Sequence, residues 1–132
     1  MIGVDTNVLV RLFVNDDAEQ HRKATAFFAA RSREDPAFIS TICAVEFIWV
    51  LTRVFRQSQA EALAMLRRVV MRQDAIVEQI AQVREAMQIA LEGGGDFSDA
   101  MIALAAERQG ATQIVTFDQA AAKHVPGMDL LA

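Results

Sequence analysis

Ile2-Gly3-Val4-Asp5-Thr6-Asn7-Val8-Leu9-Val10 opens the chain with apolar residues arranged around one polar triplet. Ile2 and Val4 read as a short buried strand, Asp5-Thr6-Asn7 ends it, and Val8, Leu9 and Val10 carry the chain into a helix. An acid therefore stands at the C-terminal end of a strand, where open parallel sheets gather their ligands. The same arrangement returns near the other end. Residues 112–117 are β-branched and apolar, and Asp118 follows at once, ahead of a small alanine-rich helix.

Between these ends the pattern is mostly helical. A helix is expected over 19–33, with Ala24, Phe27 and Phe28 inward, until Pro36 interrupts it and opens a second strand over 37–40. Ser40 or Thr41 caps the next helix, where Val45, Ile48, Trp49 and Thr52 describe a packing face with Glu46 one step beside it. After a turn at 57–59, Ala62, Met65, Leu66 and Val69 form the inner stripe of its hairpin partner. Residues 75–77 are a weak strand, and 79–91 a helix periodic through Ile80, Val83, Met87 and Leu91. Gly93-Gly94-Gly95 ends that helix. No Lys-Ser/Thr follows and no strand immediately precedes, so a phosphate loop is not indicated. Asp96-Phe97-Ser98-Asp99 starts a further helix with Ile102, Ala103 and Ala106, which Gly110 closes, and Pro126-Gly127 turns the chain into its last segment. Strands separated by helical patterns predict an α/β fold with a parallel sheet and crossover helices, and 132 residues without a linker or repeat suit one domain over 1–132.

Composition narrows the function. The 13 basic and 17 acidic residues give a net charge of −4, which argues against whole-chain attraction to polyanions. No uncharged stretch approaches the ~20 apolar residues that span a bilayer, and the opening has neither a basic region nor a long apolar run. No membrane association and a cytoplasmic location are the resulting expectations. The single cysteine, Cys43, permits no intramolecular disulfide and lies in an apolar run, as a core residue does.

The chemistry rests on separated carboxylates: Asp5 and Asp118 at strand exits, Asp99 in the first turn of its helix, Glu46 in the second turn of another. Oxygen ligands of this kind suit Mg²⁺ or Mn²⁺. His21 and His124 stand alone, so neither a zinc cluster nor a Ser-His-Asp triad is supported. Carboxylate-held metal orients water, lowers its pKa and neutralises charge developing on a phosphodiester. Each acid also has a plainer use. Asp99 has capping-box spacing from Asp96, Asp118 suits an ordinary turn, Glu46 a solvated helix face, and Asp5 can find turn donors or water. Thr6, Asn7, Ser98 and Thr116 read as turn and capping residues able to order such carboxylates.

Four segments then resemble the PIN-domain family, and within it the VapC-type toxins of bacterial toxin-antitoxin modules. They are Ile2-Gly3-Val4-Asp5-Thr6-Asn7-Val8-Leu9, Ser40-Thr41-Ile42-Cys43-Ala44-Val45-Glu46, Asp96-Phe97-Ser98-Asp99-Ala100-Met101-Ile102-Ala103 and Val115-Thr116-Phe117-Asp118. Each alone is weak, but four in order at domain spacing are specific. The resemblance implies a three-layer α/β/α sandwich with a central parallel sheet and a Mg²⁺-dependent endoribonuclease, which Mn²⁺ also supports, acting on RNA as a toxin. It makes Asp5, Glu46 and Asp99 the principal metal-site acids and Asp118 a fourth, with Asp96 an additional candidate. It further implies a homodimer and inhibition by a small cognate antitoxin protein. Other readings stay open: a PIN nuclease for RNA processing or DNA, or a non-catalytic protein-binding module. A haloacid-type phosphatase is disfavoured because Asp5-Thr6-Asn7 lacks the second acid of Asp-x-Asp. Arg11, Arg53, Arg56, Arg67, Arg68 and Arg72 are candidates for a phosphate-gripping rim. The hairpin over 41–71, rich in Phe47, Ile48, Trp49, Val50, Leu51 and Phe55, suggests a surface for association.

Overall fold

In the computed structural model, which describes residues 1–132, the strand ladder begins where Pro36 places its carbonyl opposite the first strand. Ile2 N–H donates to Pro36 O at 2.9 Å and Val4 N–H to Phe38 O at 3.1 Å, while Ala37 N–H reaches Asp74 O at 2.9 Å. These bonds tie β1 (Ile2–Gly3), β2 (Ala37–Ile39) and β3 (Ala75–Val77) into a parallel sheet in the order β1-β2-β3, with Ile2 opposite Ala37 and Ala37 opposite Ala75. The crossovers are helical pairs: α1 (Thr6–Phe13) with α2 (Ala18–Ala29), then α3 (Thr41–Arg53) with α4 (Gln59–Val70). This first compact unit covers Met1–Gln79.

Short polar side chains set where these helices begin. Asp17 accepts from Gln20 N–H at 3.1 Å, and Ser40 from Cys43 N–H at 3.0 Å. Ser58 and Glu61 form a reciprocal capping box at the start of α4. Such caps satisfy backbone donors that have no partner inside the helix. The unit's core is built from Leu9 and Phe28, with Phe47 and Leu51 from α3 and Leu63, Leu66 and Val69 from α4, all essentially inaccessible. Phe13 and Phe47 pack with ring centroids 5.6 Å apart.

Two expectations change here. The buried face of α3 is Cys43, Ala44, Phe47, Ile48 and Leu51, whereas Trp49 is 53% exposed. Apart from Glu46, residues 42–51 are all apolar, so helical spacing fits two overlapping stripes, and packing selects the one that buries Phe47 against Phe13. Phe47, Ile48 and Leu51 therefore belong to the core, not to a surface for association. The first strand is not buried either: Ile2 is 42% exposed, on an edge strand paired only with β2 in its sheet.

The second compact unit, Ile80–Ala132, holds α5 (Ile80–Gly93), α6 (Phe97–Arg108), β4 (Ile114–Thr116), α7 (Gln119–His124) and β5 (Met128–Leu130). β4 and β5 pair in parallel, Ile114 opposite Met128. Val83, Ala86, Met87 and Ala90 from α5, and Phe97, Ala100, Met101 and Leu104 from α6, are buried. Leu91 and Ile102, expected inward, are exposed, because small alanines one register position away allow closer approach of the helices. A second cluster joins Ala103, Ala121, Val125 and Met128, with Ile114 packed against it. Gly94 closes α5 at φ +72°, and a Cβ on Gly95 would meet the His124 carbonyl oxygen at 3.2 Å, so the glycine run serves termination and close approach. Parallel pairing throughout, with helices layered on strands, is the α/β/α class expected. No helix is long and apolar enough to cross a membrane.

Just before β3, Arg72 Nε and Nη2 donate to the two carboxylate oxygens of Asp74 at 2.8 and 2.9 Å. These bonds hold the Asp74 carboxyl below its ordinary range against the opposing effect of burial. A depressed folded pKa contributes stability above the unfolded value of about 3.9, and that stability is lost as pH falls through the folded pKa. Asp74→Asn should accordingly cost about 1 kcal/mol near neutral pH. Urea midpoints should show the variant's deficit shrinking as pH falls well below the carboxylate range; a deficit that stays constant over that fall would remove the pair as its cause.

Candidate active site

Asp5 is the residue on which α1 begins. Its backbone is extended, and its Oδ1 accepts from Thr6 N–H at 2.7 Å. Thr6 is the buried polar residue of the chain at 7% exposure, and its hydroxyl donates to Glu46 Oε2 at 2.7 Å. One threonine thus links the start of α1 to the second turn of α3 and orders both carboxylates. The charges of Asp5 and Glu46 both reach the buried Cys43 thiol. Its pKa is raised chiefly by burial and further by these two carboxylates, while the Thr6 hydroxyl opposes the rise. Cys43 is a core residue, as expected.

Two cavities of the first unit meet at this corner. One, of about 420 Å³, is lined by Asp5, Asn7, Arg11, Gln20, Lys23 and Phe27 among others. The other, of about 330 Å³, is lined by Asp5, Asn7, Arg11 and Glu46 against an apolar wall of Val50, Val54 and Phe55. Of the arginines proposed for a rim, Arg11 reaches these acids. Its Nε lies 3.0 Å from Asp16 Oδ1 without the alignment of a hydrogen bond, and its guanidinium sits 5.7 Å from the Phe55 ring centroid. Arg68 and Arg72 line a separate cavity with Leu12, Phe13 and Met65. Gln20 and Lys23 escaped the sequence reading, since nothing distinguishes them from the solvated face of α2.

The remaining acids lie in the second unit. Asp96 caps α6 by accepting from Asp99 N–H at 3.1 Å; the cap engages the amide of Asp99 and not its carboxylate. Asp118 caps α7 by accepting from Ala121 N–H at 3.0 Å, and its own N–H donates to the Thr116 hydroxyl at 3.0 Å. The Asp99 carboxyl is raised above its ordinary range, first by burial and then by the charges of Asp96 and Asp118. Asp96 and Asp118 are therefore both within electrostatic reach of Asp99, and none of the three is ion-paired within its unit.

The structure thus brings Asp5 together with Glu46, and Asp99 with Asp96 and Asp118. Within neither unit do three or more carboxylate, imidazole or thiol groups gather as a ready-made metal cage. The donor chemistry fits a hard divalent cation: every candidate supplies oxygen, and neither Asp99 nor the like charges of Asp96 and Asp118 is engaged in an ion pair.

A profile of the PIN domain matches residues 2–126. No match was found among curated proteins. Among solved structures, the chain is similar to VapC20 of Mycobacterium tuberculosis, described as a Sarcin-Ricin loop cleaving toxin. The identity is 19%, the TM-score 0.47, and the alignment covers 89% of this chain and 88% of that one.

The Thr6–Glu46 bond gives the first unit a direct test. Glu46 is exposed and regains water when the bond is lost, so the net value of the bond is about 0.5 to 1.5 kcal/mol. Thr6→Val should lower stability by that amount, and Thr6→Val combined with Glu46→Ala by scarcely more than the first change with the intrinsic cost of the second. A double-mutant cycle in urea that returns no coupling would exclude the bond as the element ordering Glu46.

Proposed function

Because the chain belongs to the PIN-domain family, we propose that it is a divalent-metal-dependent endoribonuclease and the toxin of a toxin-antitoxin pair. Membership supports nuclease-type activity in general; the metal, the RNA substrate and the toxin role are the content of the proposal. One observation carries it. Asp5, Glu46, Asp99 and Asp118 all fall inside the matched residues, in chain order, each within one of the four acidic segments that resemble the family.

Asp5, Glu46, Asp99 and Asp118 are the acids that would hold Mg²⁺, or Mn²⁺ in its place, with Asp96 a further candidate; residues 1–132 then work as one nuclease domain. When bound there, a divalent cation would lower the pKa of a water and neutralise charge developing on the phosphodiester. The chain's own residues do the positioning. Thr6 fixes one oxygen of Glu46, and Asp5 is fixed through the Thr6 amide. Asp96 sets the start of α6 and with it the place of Asp99, while Thr116 steadies the turn that carries Asp118. Arg11 offers a cation to a phosphate beside the acids.

The toxin role rests on the resemblance of the four segments to VapC-type sequences, and it brings a small cognate antitoxin, a homodimer and a cytoplasmic site of action as parts of the same proposal. Apolar side chains left exposed along α3 and just beyond it and α4, namely Ile42, Trp49, Val54 and Met71, offer contact surface for such partners. A small gene beside this one, whose product blocks the activity, is the expected context.

The deciding experiment incubates antitoxin-free protein with total RNA in Mg²⁺, Mn²⁺ or chelator and maps the new ends. Cleavage should require metal, and Asp5→Asn, Glu46→Gln, Asp99→Asn and Asp118→Asn should each lower it at least about a hundredfold. Metal at a hundredfold over its Kd should stabilise the folded chain by about 2.7 kcal/mol, and Asp99→Asn should erase most of that gain in thermal melts. Cleavage that persists in chelator, or that survives all four substitutions, would refute the proposal.

A further inference from the structure

The two cavities that meet at Asp5 differ in charge. Asp5, Asn7 and Arg11 line both. The cavity that contains Glu46 sets two carboxylates against one cation, as suits bound metal. The larger, about 420 Å³, sets the single carboxylate of Asp5 against Arg11 and Lys23, and adds the amides of Asn7 and Gln20 and the ring of Phe27. A cavity of several hundred cubic ångströms with apolar lining and a few convergent polar groups accommodates a small ligand or one unit of a polymer.

Its lining matches a nucleotide part by part. Lysine offers a point charge to a phosphate, carboxamides offer paired donor and acceptor atoms to a base edge, and an aromatic ring offers apolar surface to a base. Lys23 is held only by an exposed pair with Glu19 at 3.2 Å, both side chains about two-thirds accessible, so little opposes its turning to a ligand. Gln20 uses its backbone N–H in the cap at Asp17, which leaves the amide side chain to other partners. Phe27 is stiffened by Phe28 edge-on at 5.2 Å and by Arg31 at 4.6 Å from its ring centroid. Because Asp5, Asn7 and Arg11 line both cavities, a nucleic-acid strand laid along that wall would pass from one into the other.

We propose that the Gln20–Lys23 cavity is the subsite for the nucleotide that flanks the cleaved bond, Lys23 taking its phosphate and Gln20 its base edge; this rests on the nuclease reading above. Gln20 and Lys23 are exposed residues of α2, so Gln20→Ala, Lys23→Ala and the double variant should melt at the wild-type temperature. With single-stranded RNA oligonucleotides that vary at the flanking position, Lys23→Ala should raise KM about tenfold with kcat within about twofold, and should lower the slope of log KM against log salt by about 0.7. Gln20→Ala should flatten the preference for the flanking base. Anisotropy of the same labelled oligonucleotides in chelator reads binding without cleavage, and the double variant should bind about tenfold more weakly there. Unchanged KM, salt slope, base preference and anisotropy in the double variant of a protein that cleaves RNA would overturn the subsite alone. A wild type that binds RNA in chelator but never cuts it would overturn the nuclease reading, and the double variant's loss of anisotropy would still uphold the cavity as the nucleotide site. A wild type that binds no RNA overturns the subsite.

Discussion

Like charges resist being held together, and this chain holds its acids at helix N-termini. Asp5 begins α1, Asp96 begins α6 with Asp99 in its first turn, and Asp118 begins α7. At each start, backbone N–H groups lack partners inside the helix and the aligned peptide dipoles favour negative charge. The Asp99 carboxyl is nonetheless raised above its ordinary range, first by burial and then by the charges of Asp96 and Asp118. Glu46 lies within a helix instead, and its anchor is the Thr6 hydroxyl, supplied by the helix that Asp5 starts. Fold and site therefore share the same few residues.

Much of this was legible because the signals were local. Pro36 ahead of β2, Ser40 as a cap and the glycines that end α5 each act within a turn of chain, and each falls where expected. What the sequence leaves ambiguous is set by tertiary packing. Trp49 looked inward because residues 42–51 are apolar around most of the helix, and the choice between stripes depends on what Phe47 meets, which no local pattern encodes. Leu91 and Ile102 misled in the same way: hydrophobicity ranks them above alanine, while helix–helix approach prefers Ala86, Ala90 and Ala100. Gln20 and Lys23 were invisible for the opposite reason, being ordinary polar residues whose meaning comes from the cavity beside Asp5.

The wall formed by Asp5, Asn7 and Arg11 separates local fields of opposite sign in a chain whose net charge is acidic. A net charge of −4 gives no general attraction to polyanions, so the affinity proposed for RNA has to come from local asymmetry. On one side of the wall Glu46 joins Asp5, and the balance is negative; on the other Lys23 joins Arg11, and it is positive. Under the proposed function, a substrate phosphate and the cation serving it would have separate places a few side chains apart. The Debye length of about 8 to 10 Å near physiological salt keeps fields of this size local, which makes the partition effective in a chain whose total charge is unfavourable.

The choice between cap and ligand, which the sequence alone leaves open for Asp99 and Asp118, turns on counting lone pairs. An ionised carboxylate has about four acceptor positions on two oxygens. The caps formed by Asp5, Asp96 and Asp118 each engage Oδ1, and Thr6 engages Oε2 of Glu46. In none of these does the cap or anchor use the second oxygen. A cap also fixes the side-chain rotamer, so the uncommitted oxygen is presented in a defined direction and loses less entropy on binding a cation. Capping a helix and the metal-binding role proposed for the same acids are therefore compatible in one side chain. Asp99 completes the logic from the other side: its amide is consumed by the cap of Asp96 while its carboxylate is not, so α6 is started by one acid and left free to offer the next.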